Sequence, residues 1–453
     1  AAPQVLPGSI SPASGATLTA LTSVSVTFDE PVVNVAQNSL EVNGSATATG
    51  LTGSGAGPYT WTIPQPGDGS VNLEVVPGTH AIQDAPHGND FTGYTWACTL
   101  DATAPDIDTT TPSPAALLTA LTIVEVTFDE SVLNVNQDDL LVNGSATATG
   151  FSGSGQGPYT FSIPQPADGQ VNLSLIAGTP ATEDAAGNVF VGPYGWTVTL
   201  DSQPPNVDTV SPAAGAVLTA LTSVEVTFDE PVSNVNQGDL LVNGSATATG
   251  LAGTGIGPYT FTIPEPGQGT VNLSLTAGTP ATTDTAGNPL PAPYDWSVQF
   301  DSMAPTLDPA SLNPADGATV TSLTSISLSF TEAVDNVALS DLLVNGSATA
   351  TGLSGTGVGP YTWTIPQPAD GAVALELLAG TPATADLAGN PYAGGDTWAY
   401  SLDSTPPELT AVSPVDGSML TSLTSVEVTF TEAVTGMNSG DLLVNGSATA
   451  TGV

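Results

Sequence analysis

The chain has 453 residues, 40% hydrophobic and only 9% charged, with 43 Asp and Glu set against no Lys or Arg. That balance excludes nucleic-acid binding, which needs a basic footprint, and an anionic membrane would repel the chain. The hydrophobic content and regular alternation exclude a disordered acidic tail, so the carboxylates of a folded chain must be solvated, hydrogen-bonded or neutralised by cations.

Ala1-Ala2-Pro3 fits a mature N-terminus left by signal cleavage. No apolar run in the sequence is long enough to span a bilayer, and no signal peptide is visible. The first organising stretch is Val42–Gly50. It returns letter for letter at Val142–Gly150, Val242–Gly250, Val344–Gly352 and Val444–Gly452. Phe28, Phe128, Phe228, Phe330 and Phe430 keep the same beat of about 100 residues, so the chain reads as near-copies of one unit. The expected divisions are residues 1–101, 102–201, 202–301 and 302–403, with 404–453 as the first half of a fifth copy. That half copy fits a piece of a longer array or a half domain completed by another chain.

The third copy serves for all. Asp201-Ser202-Gln203-Pro204-Pro205 is a short linker stiffened by paired prolines. A short strand near 207–210 precedes the Ser211–Gly215 turn. Val224, Val226 and Phe228 alternate with Ser223, Glu225 and Thr227, which predicts a half-buried strand ended by Asp229-Glu230-Pro231. Leu240–Val242 is the next strand, Asn243-Gly244 a turn, and Ser245–Thr249 a period-two strand of small residues. A glycine-rich turn, Gly253–Pro258, leads to the strand of Tyr259, Phe261 and Ile263. Val271, Leu273 and Leu275 form another, and Tyr294, Trp296, Val298 and Phe300 close the copy. No stretch has a sustained helical period. Seven short alternating strands in this length predict an all-β fold of tandem immunoglobulin-like antiparallel sandwiches.

The run Val224–Val232, the loop Asp284-Thr285-Ala286-Gly287-Asn288 and the closing Tyr294–Asp301 segment resemble bacterial Ig-like domains. Such modules occur in tandem in surface-layer proteins and large adhesins. The resemblance implies an extracellular or cell-surface spacer or stalk, in some cases stiffened by calcium; that no enzyme is expected follows from the residues themselves.

Candidate sites follow from residue type. His80 and His87 are the only histidines, both in the first copy, and no repeat-wide nucleophile–base arrangement surrounds them. Cys98 stands where other copies carry Val198, Val298 and Tyr400, which makes it a small core residue. The Asn-Gly-Ser turns match the glycan acceptor pattern, as do Asn172-Leu173-Ser174 and Asn272-Leu273-Ser274; a plain turn is the competing reading. The carboxylates are the most informative set. In an Ig-like sandwich, Glu130 falls in the loop after the second strand, Asp184 and Asn188 in the loop before the last, and Asp101 in the entering linker. The equivalent sets are Asp201, Glu230, Asp284 and Asn288, then Asp301, Glu332, Asp386 and Asn390. Hard oxygen ligands from several loops suit Ca²⁺ at the repeat junctions; turn formation alone is the alternative. The function expected is a repetitive structural stalk, filament or surface lattice that associates with itself, the Ser145–Thr149 segment being a flat uncharged contact. A ligand- or carbohydrate-binding adhesin and an accessory region of a secreted enzyme are the alternatives.

Overall fold

In the computed structural model, which describes all of residues 1–453, helix is confined to five single 3₁₀ turns of three residues, and everything regular beyond them is strand. The second copy shows the pattern. Ile107–Thr111, Ile123–Phe128, Tyr159–Ser162 and Gly150–Ser152 form one antiparallel sheet in that order. Leu117–Leu118, Tyr194–Leu200, Gly169–Leu175 and Leu140–Val142 form the facing sheet. Within it, Leu117–Leu118 runs parallel to the closing strand. The opening strand is thus one chain segment split between two sheets at the turn around Pro112, and counted once it gives the seven strands of an immunoglobulin-like sandwich. The same two four-stranded sheets recur in the third and fourth copies.

Alternation puts the core where the sequence places it. Val124, Val126 and Phe128 meet Phe161, Val171, Leu173, Trp196 and Val198 between the sheets, all of them buried. The same pattern buries Val226, Leu273 and Trp296 in the third copy and Cys98 in the first. Trp196 satisfies its indole by donating to Pro112 O at 3.1 Å, pinning the split in the opening strand to the closing one.

Two features depart from expectation. Residues 145–149 are not a strand in any of the first four copies. Val142 and Ser145 close a two-residue turn on Asn143 (φ 49°) and Gly144 (φ 81°), and the chain then crosses from the edge of one sheet to the edge of the other. A segment that changes sheets leaves its ladder, so pairing resumes only at Gly150–Ser152. Only in the fifth copy does Ser447–Ala448 pair, with Leu443–Val444. The second departure is a short ribbon, Val132–Leu133 against Glu183–Asp184, which ties together the two loops that carry the candidate acids.

By contact density the chain divides into two units. One comprises residues 1–206 with 230–234 and 279–291; the other comprises 207–229, 235–278 and 292–453. The first therefore holds two sandwiches and the two acid-bearing loops of the third copy. The second holds the other strands of the third copy, the fourth sandwich, and residues 404–453, where Leu409–Ser413 pairs with Glu427–Phe430.

Candidate metal centre at the linkers

Local turn chemistry builds the site. In Asp184-Ala185-Ala186-Gly187-Asn188, Gly187 takes φ 99°, a conformation that lets the loop fold back over its own first side chain. The N–H groups of Ala186, Gly187 and Asn188 all donate to Asp184 Oδ1, at 2.8, 2.6 and 2.9 Å. Asn188 Nδ2 donates to Asp184 Oδ2 at 2.8 Å and, across to the linker, to Asp101 O at 2.7 Å. Burial would raise the carboxyl of Asp184, but these bonds outweigh it and hold the group below its ordinary range.

The same clamp recurs. Asn288 Nδ2 reaches Asp284 Oδ2 at 2.8 Å and Asp201 O at 2.7 Å; Asn390 Nδ2 reaches Asp386 Oδ2 and Asp301 O at the same distances. In each case a loop is fastened to the linker that enters it.

Around each clamp three carboxylates converge. Asp101, Glu130 and Asp184 each place an oxygen within 4.8 Å of the others, and so do Asp201, Glu230 and Asp284, and Asp301, Glu332 and Asp386. In every group the loop Asp is buried and the other two are half-buried. Burial, then the negative charges of Asp101, Asp184, Asp129 and Asp68, pushes the carboxyl of Glu130 up; burial, then Asp301 and Asp386, does the same to Glu332. No Lys or Arg exists to relieve this crowding. Two oxygens on opposite sides of a Ca²⁺ ion stand about 4.6–5.2 Å apart, at about 2.3–2.6 Å each from the ion. The observed spacing and hard oxygen chemistry fit that cation. The Asn residues take a different part: their amide nitrogens face the carboxylate and the linker carbonyl, so they fasten the loop beside the acids.

The first copy is built otherwise. Its loop is one residue longer, Asn89 Nδ2 still donates to Asp84 Oδ2 at 2.6 Å, and exposed His87 brings Nδ1 to 3.6 Å from the same oxygen. The Asp84 carboxyl is lowered to about 2, because bonds from Asn89 and His87 and the His87 charge outweigh its burial. His80 is exposed.

Sequence reasoning missed a second fastening. Asp68 accepts from Ala102 N (3.0 Å) and Thr103 Oγ1 (2.6 Å), and Asp168 from Ser202 N (3.0 Å), Ser202 Oγ (2.8 Å) and Gln203 Nε2 (3.3 Å). Asp370 grips Ser404 and Thr405 in the same way, and Gln268 both accepts from and donates to Ser302. The available signal was an Asp-Gly turn at the same offset, Asp68-Gly69, Asp168-Gly169 and Asp370-Gly371.

Residues 201–300 match the bacterial Ig-like domain family, and residues 258–355 match the bacterial Ig-like domain (group 3) family. The resemblance read from the motifs therefore holds over residues 201–355. No curated protein matches the chain. Among solved structures it is similar to Sidekick-1 immunoglobulin domains 1–5, at 10% identity and TM-score 0.28, covering 88% of this chain and 80% of that one. Invasin, a bacterial integrin-binding protein, gives 11% identity and TM-score 0.28 over 88% and 78% of the two chains. Protocadherin Gamma B2 extracellular cadherin domains 3–6 give 11% and 0.27 over 89% and 100%. At these scores none carries an argument about function.

Proposed function

We propose that the chain is a structural, non-enzymatic spacer of a cell surface or extracellular assembly, made of independently folded Ig-like copies whose junctions are stiffened by Ca²⁺. The observation that carries the reading is the repeated junction: a buried loop Asp, a linker Asp and a Glu from a third segment converge three times beside an Asn that fastens loop to linker. Like groups recur at three successive linkers, as a repeated structural device does. Asp101, Glu130 and Asp184 would hold one ion, Asp201, Glu230 and Asp284 a second, and Asp301, Glu332 and Asp386 a third. The cation would supply the positive charge that the sequence lacks, turning mutual repulsion into a bridge.

Self-association belongs to the same reading, through the exposed, uncharged crossing segments, as do glycans on the Asn-Gly-Ser turns. The test is the full chain in calcium and then in chelator, followed by small-angle scattering and calorimetry, with sedimentation for association. Calcium should restrict bending and stabilise the fold by ~2.7 kcal/mol at a hundred times its dissociation constant. Glu230→Gln with Asp284→Asn should remove one junction's share. Identical scattering and melting in the two conditions would sink the calcium reading.

A further inference from the structure

The Asn-Gly turns carry a reactivity that their structural role keeps in check. Asn followed by Gly is the dipeptide most open to intramolecular attack, because Gly offers no side chain to hinder it, and Asn is the thermolabile partner. The chain repeats this dipeptide at Asn43, Asn143, Asn243, Asn345 and Asn445, exposed every time.

In the first four, the Asn sits in a left-handed turn, with φ of 51°, 49°, 51° and 49°. Two bonds then fasten it to the neighbouring strand. The backbone N–H of Asn43 donates to Asn72 O at 2.8 Å, and the N–H of Asn72 returns to Asn43 Oδ1 at 2.9 Å. The pair recurs with the same distances at Asn143 with Asn172, Asn243 with Asn272, and Asn345 with Ala374. Because Ala374 serves as well as Asn, the clasp is a backbone device indifferent to the partner's side chain.

We propose that Asn43, Asn143, Asn243 and Asn345 are latent deamidation sites that the native fold holds closed, with the neighbouring strand's N–H on the carboxamide oxygen as the latch. In the reaction, the deprotonated backbone nitrogen of Gly44 bonds to Asn43 Cγ. The Cγ–Nδ2 bond breaks and the nitrogen leaves as ammonia. Water then opens the cyclic imide at either carbonyl, giving Asp or isoaspartate. Attack needs the carboxamide carbon to swing over the Gly nitrogen. With Oδ1 tethered to one strand and the backbone held in the turn, that motion requires the clasp to open first, so the rate scales with the open population. An isoaspartate would lengthen the backbone between Val42 and Ser45, whose mutual bonds of 2.8 and 3.1 Å close the turn. A turn converted while open would then not reclose in register. Each conversion would leave a covalent record of an opening.

The control is built into one copy: Asn172→Pro removes the N–H that latches Asn143 Oδ1 and leaves the other three clasps as they are. The experiment incubates the full chain and this variant at mildly alkaline pH, native and in concentrated urea. Chymotryptic peptide mass mapping and isoaspartyl methyltransferase labelling then follow the four clasped sites. In the native protein, all four should convert at least about tenfold more slowly than in urea. In the native variant, Asn143 alone should speed up, the slow conversion of Asn43, Asn243 and Asn345 showing that the fold is kept. Conversion of the clasped sites in the native protein at the urea rate would overturn the proposal. So would an Asn143 as slow in the folded variant as in the parent, since the turn alone would then be the protection. Slow conversion at all four in urea would show that no latent site exists.

Discussion

Replacing Asn188 by Ala isolates what the linker clamp contributes. The substitution deletes two donated bonds, 2.8 Å to Asp184 Oδ2 and 2.7 Å to Asp101 O. A bond to a charged acceptor contributes about 1.5–3 kcal/mol and one to a carbonyl about 1 kcal/mol. Asp184 keeps its three N–H partners on Oδ1, but its buried Oδ2 loses its donor. Asn188 is only half-buried, so water recovers part of the loss, leaving an expected cost of about 2–3 kcal/mol. For a unit of this size each kcal/mol moves the midpoint by about 4–8 °C. Calorimetry of the full chain in chelator should therefore show one transition displaced downward by about 10 °C or more, the others unmoved. Asn188→Asp, which keeps the shape but loses both donated hydrogens and adds a negative charge, should fall at least as far. A displacement below about 2 °C for Asn188→Ala would refute the assignment of the clamp as a fastening.

Two further outcomes follow from buried polar and glycine positions. Burial, then Asp138, pushes the carboxyl of Asp139 up against the pull of the Asn136 N–H, so the protonated form is the one the fold favours. The stability it contributes is complete below the ordinary Asp range and is lost as pH rises through the raised value; Asp139→Ser, the residue present at Ser39, should raise stability near about pH 7 and change little near about pH 4 in urea melts. A larger gain at acid pH would contradict this sign. Gly153→Ala should cost about 3 kcal/mol or more, because at φ 140° its Cβ would lie 2.7 Å from Tyr159 Cα and 2.8 Å from Pro158 O. Gly155→Ala, at φ 63° with nothing nearer than Ser131 Oγ at 3.7 Å, should cost only about 1–2 kcal/mol in the same melts.

Where alternation of side chains reports burial directly, the fold was legible. Ser223–Phe228, Leu240–Val242 and Tyr294–Phe300 lie within a residue or two of their expected limits, and Val224, Val226, Phe228, Leu240, Val242, Trp296, Val298 and Phe300 are buried, while Tyr294 at the start of the closing strand is exposed. Period-two patterning misled only at 245–249, where small residues alternate for want of any bulky one. Alternation among Ala, Ser and Thr carries little burial energy, so topology decided the conformation. The two-residue strands 117–118 and 132–133 were invisible, being too short to show a period. At the junctions, loop order in an Ig-like sandwich was enough to bring Glu130 and Asp184 to the linker Asp. It could not say which atom of Asn188 faces them, nor that Asp168 would turn back onto Ser202, because those depend on single side-chain torsions.

A chain without Lys or Arg has few positive charges to set against a buried carboxylate, and the structure answers with backbone dipoles. Asp184 takes three N–H groups from its own loop; Asp139 takes that of Asn136. Asp68, Asp168 and Asp370 each take one from the linker they hold, joined by hydroxyls. Each of these partners is part of the main chain or a short side chain, so the arrangement loses little rotamer freedom on folding compared with long ion-paired side chains. What backbone dipoles cannot do is neutralise several carboxylates that meet in one place. Donors satisfy Asp184, yet Glu130 beside it is pushed up by burial and by the charges around it. The third group is less acidic at its margins, with Gln268 where other copies have Asp and Thr331 where the first three have it, and a cavity of about 600 Å³ there is partly walled by exposed Met303 and Leu387. Outside the linkers a carboxyl that burial pushes up, such as Asp139 or Asp341, belongs to no such cluster, whereas at the linkers three carboxylates meet, and it is there that a cation has the most to stabilise.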